Sequence, residues 1–409
     1  MDATTRRRVR ISPRYRYPAR WEESLITGLF ETSIRQGRIG LQFKDEIIEV
    51  GSGPYICTIA PPTLRRFLTL LAKPDYRLPE YFTNGYWCCE RGKLYDFLEL
   101  LTTQESSLLH GWFRLFNANP IRDGIVYKLF PLKVKESVAR HYNTSPDFMK
   151  LILGDDLEYT CAFFDENHTT LASAQKNKID LIVSRLGASP EHNILDLGCG
   201  WGQIAEAVAA KSGARVTGIS LSSEQIQHAQ RQCSSSRLNF IAADYEAPEI
   251  DGLYDRIYSI GMLEHIGRGL LDRYFERIAA LLAAEGRALV HCIVRRRNKS
   301  TNSWIDKEVF PGAYIPQLSE VIEDIERSRL AVVRVFAHDR SNYFQTLRAW
   351  AENFYKNERK LEGVLVSLVD VNDAATIMRL WEFYLCASRL AFNTANGDCY
   401  NVQIVLRKN

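Results

Sequence analysis

The segment Asn193-Ile194-Leu195-Asp196-Leu197-Gly198-Cys199-Gly200-Trp201-Gly202 limits what this chain can fold into more than any other. It opens as an apolar run holding one acidic residue, and it closes with glycine at every second position. Apolar residues then return at helical spacing from Gln203 to Ala209. The pattern predicts a buried strand, a tight loop and a helix start. Glycines let a backbone pass close to a ligand, and the opening amides of a helix are donors that suit an anionic or carboxylate-bearing group.

The rest of the second half follows the same plan. Strand-like runs lie at Arg215–Ile219, Asn239–Ala242, Asp255–Ile260 and Arg287–Ile293, and amphipathic segments separate most of them. Runs at Ala331–Phe336 and Asn401–Leu406 complete seven strands. A helical entry covers Val138–Leu153, and a helix over Leu171–Leu186 precedes the first strand. Alternating strand and helix predicts an α/β fold, doubly wound and mostly parallel, with ligand at the carboxyl ends of the strands.

A chain of 409 residues has room for more than this sheet. Residues 22–128 read as a smaller N-terminal α+β domain, and 129–409 as the larger domain. Arg38–Phe43 and Ile47–Val50 alternate like paired strands. Leu64, Phe67, Leu68 and Leu71 fall at helical spacing beside Arg65 and Arg66, Tyr81–Trp87 is an aromatic turn region, and Lys93–Leu101 reads as a helix. This region holds no catalytic constellation; substrate docking or dimerisation is the role left to it. Asn119-Pro120, Asp123-Gly124 and Pro131 mark a linker over about 117–135.

Residues 1–21 form a basic tail carrying Arg6, Arg7, Arg8, Arg10, Arg14, Arg16 and Arg20. Such a tail is flexible by default and is also suited to an anionic membrane surface. A net charge of +3 is too small to point to nucleic acid. No apolar run reaches the ~18 residues of a membrane span, and no secretory leader is evident. Nine cysteines without a Cys-x-x-Cys pair argue for reduced thiols in a cytoplasm and against a metal centre.

The strand ends carry the chemistry. A dinucleotide site usually has Asp or Glu about 20 residues past the glycines to hold ribose hydroxyls. Here the second strand ends Ile219-Ser220-Leu221-Ser222, with Gln225 one turn on, which argues against a standard NAD site. The third ends Ala243-Asp244-Tyr245-Glu246, where Asp244 suits an exocyclic amine and Tyr245 a purine face. Alone, Asp244 is more often a helix cap and Tyr245 a surface aromatic.

This order of motifs resembles the class I S-adenosylmethionine-dependent methyltransferases. Five blocks narrow the resemblance: His141-Tyr142-Asn143, Tyr159–Phe163, Leu195–Gly202, Gly261–Gly267 and Trp304–Gly312 are similar to cyclopropane-fatty-acyl-phospholipid synthases and mycolic acid cyclopropane synthases. The N-terminal region resembles the extra domain of the phospholipid-acting members. The resemblance implies S-adenosylmethionine as co-substrate, bound by Tyr159, Thr160, Asp196, Gly198, Gly200, Ile219, Ser220, Leu221, Gln225, Asp244, Tyr245, Glu246 and Ile260. It implies methylene transfer to a cis double bond of phospholipid acyl chains. A bound bicarbonate would act as base, held by Cys161, Glu264, His291, the Ile293 amide and Tyr343. It further implies a homodimer lying on the inner face of a membrane.

Each of these side chains has a plainer alternative. A lone histidine in a buried strand is more often a core residue, and a lone cysteine a core filler. Phe163, Phe164, Trp304, Phe310 and Tyr314 are candidates for an acyl channel and equally for core. The sequence departs from the family at Asn143, where an aspartate is usual, at Thr160, where a serine is usual, and over Tyr384–Phe392, which lacks the family's glycine and Phe-Arg. Methylation of an olefin or a small amine without ring closure shares the same cofactor motifs. A membrane-binding protein that only senses S-adenosylmethionine would have no need of a base site.

Overall fold

The computed structural model describes residues 14–103, 145–297, 302–393, 395 and 397–409. The expected His141-Tyr142-Asn143 block, the linker and the first part of the tail lie outside them. Described elements run in chain order: α1 (Arg20–Ser33), β1 (Gly37–Gln42), β2 (Ile47–Ser52), β3 (Tyr55–Ala60), α2 (Leu64–Ala72), α3 (Pro74–Thr83), β4 (Cys88–Arg91), α4 (Leu94–Thr103), α5 (Pro146–Leu153), α6 (Leu171–Leu186), β5 (Asn193–Leu197), α7 (Gln203–Ser212), β6 (Arg215–Ser220), α8 (Ser223–Gln232), β7 (Leu238–Ala242), β8 (Tyr254–Ile260), α9 (Leu271–Leu281), β9 (Leu282–Arg295), α10 (Leu318–Arg327), β10 (Leu330–Ala337), α11 (Arg340–Lys356), α12 (Glu358–Val366), α13 (Val371–Ala391) and β11 (Cys399–Lys408).

Two compact units share the chain. Among the described residues, the N-terminal unit holds 14–103 together with 302–305 and 358–391. Its sheet has the order β2-β1-β3-β4, antiparallel except for the β1–β3 pair. The expected strand pair is β1 with β2, and the basic amphipathic segment is α2, which buries Phe67 and Leu70 and leaves Leu68 exposed. Helix α13 belongs to this unit because its ring-bearing residues find their partners there. Phe383 lies 5.6 Å from Phe82 and 5.3 Å from Trp304, and the Arg379 guanidinium donates to Thr83 O at 2.9 Å. The division thus differs from a contiguous 129–409 domain, and Trp304 is a core residue of the N-terminal unit. Residues 14–21 are not a loose tail either: Tyr15 is buried, its hydroxyl donates to Pro61 O at 3.0 Å, and α1 starts at Arg20.

The second unit holds a seven-stranded sheet in the order β10-β11-β9-β8-β5-β6-β7. Only β11 runs against its neighbours. Period-two alternation feeds two cores. Ile194, Val216, Tyr258 and Leu289 pack against Ile179 and Ile182 of α6, Val208 of α7 and Ile226 of α8. Leu195, Leu197, Ile257 and Val290 pack on the opposite face against Phe275 and Ile278 of α9 and Val321 and Ile325 of α10. The result is three layers, helices on both faces of one sheet. Helix α6 shows how local signals set an element: Thr170 caps its start by accepting from Ser173 N, Gly187 ends it in the left-handed region, and Ala174, Lys178, Ile182 and Leu186 form one buried stripe.

Gly202 joins the glycine loop to α7 with φ +93°, and a Cβ there would lie 2.7 Å from Ala229 Cβ and 3.0 Å from Phe240. Gly202→Ala is therefore expected to destabilise this unit by about 2–3 kcal/mol, from a left-handed backbone and an overfilled contact together. A thermal melt followed by circular dichroism checks it; an unchanged midpoint would mean that the loop yields without cost.

Candidate active site

The loops that leave β5, β6, β7 and β8 at their carboxyl ends surround a cavity of about 650 Å³, within the usual range of ligand clefts (about 300–1,000 Å³). The irregular segment 157–160 and the turn into α9 close its other sides. Of the thirteen residues expected around a cofactor, twelve border this cavity: Tyr159, Thr160, Gly198, Gly200, Ile219, Ser220, Leu221, Gln225, Asp244, Tyr245, Glu246 and Ile260. Gln225 is held from two sides, its Oε1 accepting from Ser220 Oγ at 2.9 Å and its N–H donating to Ser222 Oγ at 3.2 Å. Asp244 Oδ1 caps the turn by accepting from Glu246 N at 2.9 Å. Tyr245 is no surface aromatic: it is buried edge-on against Tyr274 at 5.7 Å. Asp196 is the exception. It is buried on β5 opposite Tyr258 and does not border the cavity. Its position along the strand turns it to the α6–α8 face, beneath the glycine loop.

None of Cys161, Glu264, His291, Ile293 and Tyr343 borders the cavity. All of them except Ile293 are buried. Glu264 sits in a short 3-10 turn, Leu263–His265, and its Oε1 accepts from the Ile293 amide at 2.6 Å. That amide, expected to help hold an anion, is thus engaged with Glu264. Glu264 Oε2 and His291 Nδ1 are buried and have no hydrogen-bond partner among the described residues. Asn401 Nδ2 donates to His291 Nε2 at 3.2 Å, which leaves the ring proton on Nδ1. The Cys161 thiol donates to Ala162 O at 3.3 Å. Tyr343 lies on α11 between Asn342 and Thr346, which accept from the Phe164 and Ala162 amides, so α11 carries both the tyrosine and the anchors of the cysteine segment. Phe163 stacks on His338 at 3.8 Å and lies 5.3 Å from His291. Phe310 packs edge-on against His265, and the Tyr314 hydroxyl donates to Glu320.

Residues 132–402 match the profile of a family described as mycolic acid cyclopropane synthetase. The chain belongs to that family. A cyclopropane-fatty-acyl-phospholipid synthase of Escherichia coli (strain K12) is 27% identical over 360 residues, 86% of this chain and 88% of that one. A probable fatty acid methyltransferase of Mycobacterium tuberculosis (strain ATCC 25618 / H37Rv) is 33% identical over 274 residues, 65% of this chain and 62% of that one. Among solved structures, mycolic acid cyclopropane synthase CmaA1 complexed with SAH and CTAB superposes with a TM-score of 0.60 at 28% identity, over 67% of this chain and 98% of that one. The protein is accordingly an S-adenosylmethionine-dependent methyltransferase by family and by fold.

Burial sets the charge of this family member's site. Asp196 and Glu264 are each pushed up to about 7, by desolvation in both cases; the Tyr258 hydroxyl and the Ile293 amide respectively pull back. Burial lowers His291 well below 6.5, and the neighbouring His338, Lys178 and Arg185 lower it further. Burial also raises the Cys161 thiol, so it stays protonated at neutral pH. Several positioning groups escaped the sequence. Lys178, Gln175 and Asn177 on α6 tie down segment 158–164, and the Arg277 guanidinium of α9 donates to Tyr245 O and Ala247 O, both at 3.0 Å. One of them left a signal: Lys178 interrupts an otherwise apolar i, i+4 stripe.

Asp196 and Glu264 bind their protons more tightly in the folded chain than at the ordinary 3.8 and 4.5. Each therefore favours folding at acid pH, and that contribution is lost as pH rises through about 7. Compared with Asp196→Asn or Glu264→Gln, the wild-type melting midpoint should fall more steeply from pH 5 to 8. Parallel profiles would contradict both shifts.

Proposed function

We propose that the protein transfers the methyl group of S-adenosylmethionine to a cis double bond of a phospholipid acyl chain and closes it to a cyclopropane. The observation that supports this best is that the cavity and the buried set share two segments. Tyr159 and Thr160 border the cavity while Cys161 does not; Ile260 to Met262 border it while Glu264 does not. A methyl donor on one side and an acid–histidine set on the other suit a reaction that adds a methyl and then removes one of its protons.

In this reading the cavity residues hold the sulfonium so that its methyl carbon meets the olefin. The olefin π electrons form the new C–C bond as the S–CH3 bond breaks, leaving a carbocation. Loss of a proton from the new methyl closes the ring. Orienting two weak partners and excluding water are the enzyme's main contributions, and aromatic faces such as Phe163 suit a neighbouring cation. Two buried polar atoms without a partner among the described residues would suit a small anion: Glu264 Oε2 would accept from its hydroxyl, and His291 Nδ1–H would donate to it. Bicarbonate held by these residues would supply a base for the methyl proton. Glu264, near 7, keeps part of its population ionised at neutral pH, and the Ile293 amide fixes its orientation.

The N-terminal unit is proposed to dock on the inner face of a membrane and to carry a homodimer contact. Trp21 and Leu25, one turn apart on α1, are 67% and 52% exposed, and Arg14, Arg16 and Arg20 are exposed close by in sequence. Apolar side chains beside arginines suit an anionic lipid surface. A second reading, methylation without ring closure, is favoured by relatives named fatty acid methyltransferases.

Mass spectrometry of vesicle lipids incubated with S-adenosylmethionine decides between them. A gain of one CH2 with loss of the double bond is expected; the same gain with a double bond retained would select the second reading, and no gain would remove both. Glu264→Gln should lower methyl transfer or ring closure by about 10²-fold or more while S-adenosylhomocysteine still binds. Near-normal turnover would remove Glu264 from the base site. Deleting residues 1–13, which spares Tyr15, should weaken binding to anionic vesicles at low salt, and equal binding would rule the tail out as a contributor.

A further inference from the structure

Segment 158–164 has no regular secondary structure, yet it is fixed almost residue by residue by side chains of two helices. From α6, Gln175 Nε2 donates to Thr160 O at 3.1 Å and Asn177 Nδ2 to Phe163 O at 2.8 Å. From α11, Thr346 Oγ1 accepts from Ala162 N at 3.0 Å and Asn342 Oδ1 from Phe164 N at 2.7 Å. At the centre is Lys178, fully buried. Its ammonium donates to the Glu158 carboxylate, to Thr160 Oγ1 at 2.8 Å and to Gln175 Oε1 at 2.7 Å. Three donors meet three acceptors, so no direction is left to it.

The bond to Thr160 has a consequence on the other side of that residue. With its hydroxyl turned to Lys178, its methyl lies against Gly261, where an added Cβ would come within 2.8 Å of Thr160 Cγ2. Gly261 N in turn donates to His291 O at 2.9 Å, and three residues on Glu264 holds the Ile293 amide. A chain of close contacts therefore runs from Lys178 through Thr160 and Gly261 to both Glu264 and His291. The same Thr160 borders the cavity, which Lys178 does not.

We propose that Lys178 is a positioning residue that sets the distance between the methyl donor in the cavity and the buried acid–histidine set, acting through Thr160. This rests on the reading under Proposed function. A buried ion pair often contributes little net stability, because desolvation offsets the attraction, and apolar replacement of both partners is tolerated where removal of one is not. The pair's value here is placement. Misplacement alters the fate of the carbocation: loss of a proton from the new methyl closes the ring, whereas loss from the adjacent chain carbon leaves a methyl-bearing alkene of equal mass. Both routes give the proton to a base and need no oxidant or reductant.

The test uses the full-length Glu158→Leu/Lys178→Met double variant and, separately, Thr160→Val, with unsaturated phospholipid vesicles at saturating S-adenosylmethionine. Products are separated by proton NMR, where ring and olefinic protons differ. The double variant should keep its melting midpoint within a few degrees, while the alkene-to-cyclopropane ratio at saturating S-adenosylmethionine rises at least tenfold. Thr160→Val, which keeps the shape and loses the hydroxyl, should shift the ratio in the same direction by about threefold and stands alone if the double variant does not fold. An unchanged ratio in a folded variant overturns the proposal. Should the wild type make no cyclopropane, ring closure fails separately; the inference is then read from the methyl-transfer kcat at saturating S-adenosylmethionine, which must drop at least tenfold in the double variant, and an unchanged kcat overturns it.

Discussion

The chain leaves β5 through α7 to β6 and through α8 to β7, and only then crosses back to lay β8 on the other side of β5. The loops after β5 and β8 must therefore diverge, because the helices that follow them go to opposite faces of the sheet. That divergence opens the cavity between Gly198–Gly200 and Ile260–Met262. It also puts the β8 turn against β9, where the Ile293 amide can hold Glu264. Strand order thus creates both halves of the site before any particular side chain is considered.

The two buried carboxyl groups show how position decides use. Asp196 and Glu264 share the same raised proton affinity from burial. Asp196 points into the α6–α8 layer opposite Tyr258, and its work is done inside the fold. Glu264 leaves the sheet on a 3-10 turn and keeps one oxygen without a partner among the described residues. Perturbed acidity alone would not separate them; the contact of Glu264 with the Ile293 amide, two residues from His291 on β9, does.

Much of the second unit was legible in its sequence. All seven strands fall where apolar runs place them, and α6 spans Leu171–Leu186 because a threonine cap, a stripe and a terminal glycine agree. Ten of the twelve cofactor candidates at the cavity meet there because they follow the strand ends, and strand ends converge; Tyr159 and Thr160 reach it from the irregular segment before α6. Asp196 stands apart from the other candidates because alternation along β5 turns it away from the cavity. The return of α13 to the N-terminal unit was not legible, since its run of consecutive buried residues, Phe383–Cys386, faces every side of the helix and names no partner. The order of segment 158–164 was hidden for another reason. It is imposed by Gln175, Asn177, Lys178, Asn342 and Thr346, polar residues on helices, whose effect depends on packing that no local pattern encodes.

The protonation states of the buried set narrow its chemistry. Cys161 remains a thiol and His291 a neutral ring, so neither is a thiolate nucleophile nor a cation. Both are hydrogen-bond donors in a place where Glu264 is the group titrating near neutrality. Such a set does not attack carbon. It can hold one negative charge, accept one proton and keep both close to the cavity wall at Thr160 and Gly261. The proposed proton removal after methyl transfer therefore suits these residues better than covalent catalysis would, and the anchoring of segment 158–164 by α6 and α11 suits a role in which placement matters.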